Sequence, residues 1–210
     1  ELGLDNLVKY GIDNGNLIPT LSYEEGLKDA DVVFLSVGTP SGKDDGLDLT
    51  YIYDAVKKAA KYVKDGSIFV QRSTVPVGTG REARRLMKEV NPKLKLTYLS
   101  CPEYLREGAA VLDSIRQDRI VIGGDDKKAI QKIFDIFEEV EKMAPAIIKE
   151  SPEIEKYASN NMFNNNHKET KFSDKCIVTC LESAELVKVC ANTLLSMKIS
   201  FANNIARICD

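Results

Sequence analysis

Four short runs of apolar, β-favouring residues divide the chain, and each ends in a polar turn. Asp31–Val37 (DVVFLSV) leads into Gly38-Thr39-Pro40, and Ser67–Gln71 (SIFVQ) leads into Arg72-Ser73-Thr74. Leu94–Leu99 (LKLTYL) alternates, and Arg119–Ile122 (RIVI) is closed by Gly123-Gly124. Between them, apolar residues recur at helical spacing over Tyr23–Lys28, Leu49–Val63, Gly80–Val90 and Lys127–Lys142. Strands alternating with helices predict βαβ units and a parallel, doubly wound sheet. Ligands of such sheets bind at the polar turns after the strands.

The pattern changes at Pro152. Asn160–Asn166 (NNMFNNN) is polar and reads as a loop. From Glu182 to Cys209 a long helical pattern follows, with Leu186, Val187, Leu194, Leu195, Ile199 and Phe201 in an apolar stripe. That stripe is wide enough for a helix buried between domains or subunits. A partial repeat links the two regions. Glu150-Ser151-x-Glu153-x-x-Lys156-x-x-x-Asn160 returns as Glu182-Ser183-x-Glu185-x-x-Lys188-x-x-x-Asn192, with one offset for every matched residue. No longer array follows, so a solenoid is excluded. The opening residues, ELGLDNLVKYGIDNGN, carry no signal-peptide pattern and read as the interior of a unit already under way.

With 210 residues, 43% hydrophobic and 29% charged, the chain can bury one good core or two modest ones. A net charge of −3 gives no overall pull toward nucleic acid or an anionic membrane, so neither is an expected partner. A polyanionic ligand would need a local cationic pocket. No apolar run approaches the roughly 20 residues of a membrane span. Five cysteines are an odd number and form no disulfide framework. Cys176 and Cys180 sit four apart with His167 upstream, but the third or fourth zinc ligand at sensible spacing is missing, so no metal is expected. Reduced thiols in a cytoplasmic protein are the reading that remains.

Three segments carry candidate chemistry. Gly38-Thr39 ends a strand with a glycine that permits close backbone approach and a hydroxyl suited to phosphate or ribose. Ser73–Gly78 (STVPVG) adds two hydroxyls, a proline-stiffened bend and a glycine near a helix start, where free N–H groups bind anions. Ser100–Gly108 (SCPEYLREG) places Glu103 and Glu107 four residues apart after Pro102, which on a helix puts both on one face. Buried together, such a pair would raise the pKa of at least one carboxyl, suiting a group that holds and releases a proton. Lys188 and Asn192 have the same spacing on the long helix.

These segments, as ADVVFLSVGTP, STVPVGT, PEYLREGAA, DRIVIG and SAELVKVCANTLLSMKISF, resemble the UDP-glucose 6-dehydrogenase family in order and, up to Pro152, in spacing. Related enzymes acting on GDP-mannose or UDP-N-acetylmannosamine share the architecture. The resemblance implies an α/β fold: a truncated Rossmann-like parallel sheet with flanking helices, then a long helix of the central dimerisation core. It implies a partial NAD-binding domain over residues 1–145, an insertion or loop with the partial repeat over 146–181, and the start of a helical domain over 182–210. Val37, Gly38, Thr39 and Pro40 would line the NAD site, with Ser73 and Thr74 near the nicotinamide. Thr74 and Glu103 would position or activate the water of the hydrolytic step. Tyr104, Leu105 and Arg106 would contact the sugar nucleotide, with Glu107 between cofactor and substrate. Lys188 and Asn192, preferred over Lys156 and Asn160 because KISF follows them, would hold the reacting C6 oxygen.

The implied activity is NAD-dependent, four-electron oxidation of UDP-glucose to UDP-glucuronate by a cytoplasmic homodimer joined through the long helix. Two features of the family have no counterpart in these residues: its glycine-rich GxGYVG turn and its GGxCFxKD-like nucleophile segment. None of Cys101, Cys176, Cys180, Cys190 or Cys209 stands in that second context. The expectation is therefore an internal fragment, inactive alone. The rival reading is a non-catalytic protein whose sheet and long helix serve assembly or weak nucleotide binding.

Overall fold

The computed structural model describes residues 3–42, 46–160 and 170–209. Each apolar run forms a strand: β1 is Val32–Leu35, β2 Ile68–Gln71, β3 Thr97–Ser100 and β4 Ile120–Gly123. A fifth, β5 (Cys176–Thr179), completes a sheet of order β1-β2-β3-β4-β5. The first helices are α1 (Leu4–Asp13) and α2 (Tyr23–Leu27), followed by α3 (Thr50–Ala59), α4 (Thr79–Val90), α5 (Ala110–Ile115) and α6 (Lys127–Glu150). The later ones are α7 (Pro152–Asn160), α8 (Phe172–Lys175) and α9 (Leu181–Cys209).

Alternation along β2 explains the two faces. Phe69 joins Ile52, Val56, Leu86, Met87 and Tyr98 under α3 and α4, while Ile68 and Val70 join Leu99, Ile122, Ile130 and Ile133 under α6. Strand side chains point alternately to opposite faces, so a run buried on both sides reads as continuously apolar. A third cluster (Val111, Ile115, Ala144, Ile148, Ile154) joins α5, the end of α6 and α7.

Two expectations are corrected. The sheet is not wholly parallel: β1, β2 and β3 run parallel, as do β4 and β5, but β4 meets β3 antiparallel through Ser100 and Gly123. A parallel return needs a crossover over the sheet. Here α5 packs into the third cluster instead, and β4 comes back reversed. Helix α6 continues past Lys142 and through Pro145, because Ala144 and Ile148 bury into that same cluster. Residues 146–181, expected as an insertion or loop with the partial repeat, contain the end of α6, then α7, α8 and the strand β5. Helix α7 seats Ile154 and Ala158 in the interior. Asn160 closes α7; the rest of the asparagine-rich run and His167 lie outside the described residues.

Helix α9 is held by a face other than its apolar stripe. Its buried residues are Leu181, Ala184, Glu185 and Lys188, at the i, i+3, i+4, i+7 spacing of one helical face. Leu186, Val187, Leu194, Leu195, Ile199 and Phe201 all remain exposed. Close approach makes that docking possible. A Cβ on Gly123 would stand 2.5 Å from the Cys180 carbonyl oxygen and 2.9 Å from the Leu181 Cα. Those are backbone atoms and cannot swing away. Gly123→Ala is expected to destabilise the protein by about 1–3 kcal/mol, the range for an overpacked core. At about 2–4 °C per kcal/mol for a chain of this size, thermal unfolding followed by circular dichroism would show the loss.

Candidate active site

Because β1, β2 and β3 are parallel, their C-terminal ends share one edge of the sheet, where Val37–Pro40, Ser73-Thr74 and Cys101–Arg106 emerge. The first two segments are tied together. The Ser73 hydroxyl donates to the Val37 carbonyl at 2.7 Å, and the Thr39 hydroxyl donates to the Thr74 carbonyl at 2.9 Å. Space beside Gly38 is open where a Cβ would stand. The six residues expected at the cofactor thus form one polar ledge with an open glycine, a surface that fits the close approach of a dinucleotide.

The start of α4 is a different matter from the anion site the sequence suggested. Gly78 turns the chain with φ 94°, a conformation that suits glycine. Its N–H and that of Gly80 both donate at 2.7 Å to the carboxylate of Glu185 on α9. The helix end that would receive a phosphate therefore already holds an anion from its own chain. Glu185 is 1% exposed. Its Oε1 also accepts from the Gln71 amide at 3.4 Å, and Tyr98 donates to Gln71 Oε1 at 2.7 Å. Burial pushes the Glu185 carboxyl above its ordinary pKa, while the two glycine amides and Gln71 pull it back toward the ionised form. Burial likewise pushes the Tyr98 phenol up.

Glu103 and Glu107 do not share a helical face. Residues 101–106 are extended or irregular, and 107–109 form a turn before α5. Pro102 has no N–H to give a helix, the Glu103 carboxylate accepts the Leu105 amide, and Gly108 turns with φ 79°. Glu107 is exposed, whereas Glu103 is partly buried, so the two carboxylates are not buried together. Glu103 meets Lys188 instead: Nζ lies 3.1 Å from Oε1, and the lysine is 6% exposed. The ammonium also sits 5.3 Å from the centre of the Tyr104 ring, over which Arg119 lies at 4.3 Å.

Tyr104, Leu105, Arg106, Lys188 and Asn192 line one cleft of about 450 Å³, with Arg116 and Arg119 on its wall. Four cations against Asp113 and Asp118 make this the local cationic pocket that the overall charge of −3 could not supply. Arg106 is held by Asp113, which takes its backbone N–H and both ends of its guanidinium at 2.6–3.0 Å. Burial pushes the Asp113 carboxyl up, but those bonds outweigh it and leave it below the usual range. Among the described residues, no hydrogen bond or ion pair joins Thr74 to Glu103. Lys156 of the first repeat copy is exposed, while Lys188 of the second is buried.

Sequence reasoning passed over Glu185, Gln71, Arg116 and Arg119. Gln71, a polar residue closing an otherwise apolar strand, was the available signal for a buried polar network. For Glu185 the only signal was its place in the repeat.

The sheet order, the helices on its two faces and the polar strand ends define a Rossmann-type α/β protein. Residues 1–141 match the profile of the UDP-glucose/GDP-mannose dehydrogenase family, NAD binding domain, and residues 182–210 match the central domain of the same family. The chain belongs to that family. It is 37% identical over 213 residues to a UDP-glucose 6-dehydrogenase of Rhizobium meliloti and 34% identical over 211 residues to UDP-glucose 6-dehydrogenase YwqF of Bacillus subtilis, in each case over 100% of this chain. It spans 42% and 41% of those relatives' lengths. Among solved structures, a GDP-mannose dehydrogenase from Pseudomonas aeruginosa matches with TM-score 0.73 and 28% identity, over 97% of this chain and 41% of that one. A UDP-glucose dehydrogenase from Pyrobaculum islandicum matches with TM-score 0.74 and 29% identity, over 97% of this chain and 40% of that one. No described helix is long and apolar enough to cross a membrane.

The cysteines sit in unlike surroundings, and none is among the residues that line the cleft. Burial pushes the Cys101 thiol up, against the pull of Arg72. Cys180 is exposed just before α9, and the Ser183 hydroxyl, 3.1 Å away, holds its thiol below the ordinary value. A lower pKa leaves more thiolate at neutral pH. In a timed iodoacetamide reaction at pH 7.5 read by mass spectrometry, Cys180 is expected to be alkylated first and Cys101 last. Comparable rates at the two positions would contradict this assignment.

Proposed function

We propose that this chain supplies the cofactor ledge and the sugar-nucleotide cleft of an NAD-dependent nucleotide-sugar 6-dehydrogenase, with UDP-glucose as substrate and UDP-glucuronate as product. The observation that carries the reading is the Lys188–Glu103 pair at 3.1 Å. A buried ammonium, held on a helix beside a carboxylate and a cationic cleft, is suited to a substrate whose oxygen gains negative charge while its diphosphate needs cations. NAD, when bound on the ledge of Val37–Pro40 and Ser73-Thr74, supplies the hydride acceptor. Lys188 and Asn192 hold the C6 oxygen. Tyr104, Leu105 and Arg106 grip the sugar nucleotide, and Glu107 reaches between the two ligands. Thr74 and Glu103 position the water of the hydrolytic step, with Glu103 taking its proton.

UDP-glucose is preferred to GDP-mannose or UDP-N-acetylmannosamine because the relatives at 37% and 34% identity are UDP-glucose 6-dehydrogenases. The exposed apolar length of α9, from Leu194 to Ile208, is assigned to a second copy in a cytoplasmic homodimer. A non-catalytic role finds support in one observation, the lack of a cysteine in the cleft lining.

NADH formation at 340 nm with each of the three sugar nucleotides tests the reading on the full-length protein. UDP-glucose is expected to give the highest kcat/KM, and no turnover with any of them overturns the proposal. The 210-residue chain assayed alone is expected to give none, since loss of a covalent nucleophile costs orders of magnitude in rate. In the full-length enzyme, Glu103→Gln keeps shape but cannot accept a proton. It is expected to slow hydrolysis of the covalent intermediate more than the first hydride transfer in single-turnover runs. Equal loss in both steps would make Glu103 a residue that only holds Lys188.

A further inference from the structure

Glu185 is absorbed by no role above, yet it is a buried carboxylate with both oxygens hydrogen-bonded. It stands three residues before Lys188, so the two side chains leave α9 on one face, one turn apart. Its two oxygens take the N–H groups of Gly78 and Gly80, just beyond the Thr74 ledge. Its rotation is fixed further by the Gln71 amide, itself oriented by the Tyr98 hydroxyl. A second tie runs from Arg81 on α4 to Glu182 on the first turn of α9.

We propose that Glu185 is a positioning residue: by clamping the first turns of α9 onto the start of α4, it sets where Lys188 stands against Glu103 and how far that lysine lies from the Thr74 ledge. The inference rests on the reading of Lys188 as the group that holds the reacting oxygen. Lys188 is faced by Glu103, the Tyr104 ring and, across that ring, Arg119. Of these only Glu103 attracts it as a full charge, and that carboxylate sits on an irregular segment rather than on a helix or strand. A flexible four-carbon stem facing one partner outside any helix or strand needs its backbone held for the ammonium to keep one position. The Glu185 clamp provides that hold. Glutamine at this position keeps the shape but offers a single acceptor, so one glycine N–H faces an amide donor and the clamp opens.

The test is competitive amine labelling of the full-length protein with acetic anhydride, read by mass spectrometry at three lysines. Exposed Lys156 is the reference. Lys175, partly buried and 2.6 Å from Glu141, reports general loosening. In Glu185→Gln the labelling rate of Lys188 is expected to rise about tenfold, the scale of one lost hydrogen bond to a charged group, with Lys175 and Lys156 unchanged. An unchanged Lys188 rate, or a rise at Lys175 as large as that at Lys188, overturns the inference, since a merely structural role loosens both. If Glu185→Gln does not fold, Gly80→Ala makes the same test, because its Cβ would stand 3.0 Å from Glu185 Oε1 and displace the carboxylate without removing its charge. In turnover, kcat is expected to fall about tenfold while KM for NAD stays within about twofold, since the ledge residues are untouched. A rise in KM for NAD with kcat kept overturns the proposal. Failure of the unsubstituted protein to turn over sinks the functional reading alone, because the labelling result stands without activity.

Discussion

The first N–H groups of a helix have no acceptor within their own helix, and at the start of α4 the acceptor is a carboxylate more than a hundred residues further along the chain. The rest of the architecture depends on that pairing. Burying an ionised glutamate is costly unless its oxygens are satisfied. Here two amides, a side-chain amide and the positive end of a helix dipole all point at it. Each charge-assisted hydrogen bond contributes roughly 1.5–3 kcal/mol, and removing the carboxylate would leave two amides unsatisfied in a dry interior. Two glycines allow the geometry: Gly80 leaves room for Glu185 and Leu181, and Gly123 lets the backbone of α9 rest on the end of β4. The long helix is thereby joined to the sheet by polar satisfaction and close approach. Leu181 and Ala184 pack inward beside it, while Leu186, Val187, Leu194, Leu195, Ile199 and Phe201 face outward.

That arrangement explains which parts of the fold could be read from the sequence. Strands β1 to β4 are buried on one or both faces, so their apolar runs stand out, and the helices between them show ordinary amphipathic spacing. Strand β5 (CIVT) is an edge strand of four residues with Ile177 and Val178 exposed, too short and too lightly buried to differ from its surroundings. The helical pattern over Lys127–Lys142 stops three residues short of Pro145, a residue type that normally ends a helix. The outcome was decided by Ala144 and Ile148, whose burial against α5 and α7 is a tertiary effect that no local pattern displays. The reversal of β4 depends in the same way on where α5 packs.

At the site, spacing misled where environment decides. A spacing of four between Glu103 and Glu107 suggested a helical pair, but Pro102 and the bond from the Leu105 amide keep the segment out of a helix, and only Glu103 is partly buried. Tyr104, Leu105, Arg106, Lys188 and Asn192 were legible as a set only through family resemblance, since they come from two segments some eighty residues apart. The cleft that unites them also recruits Arg116, which lies outside every motif, and Arg119, whose motif reads only as a strand. The anion site expected at STVPVG was correct in its physics and wrong in its occupant: the helix end does attract a negative group, and the chain provides one itself.

The partial repeat shows how little a motif determines alone. Both copies place a glutamate three residues before a lysine, and both lie on helices. In the first copy Glu153 and Lys156 are exposed, and Ile154 and Ala158 dock the helix, so the polar pair faces water. In the second copy the corresponding glutamate meets two unsatisfied amides, and the lysine one turn on is carried inward against Glu103. The residues that turn α9 this way, Leu181 and Ala184, lie on the same face as the polar pair, whereas the dockers of α7 lie off it. Which face of a helix is apolar near its polar pair decides whether that pair becomes a surface or a site. In α9 the small Ala184 beside Gly123 brings the helix close enough for a charge to replace apolar packing as the anchor.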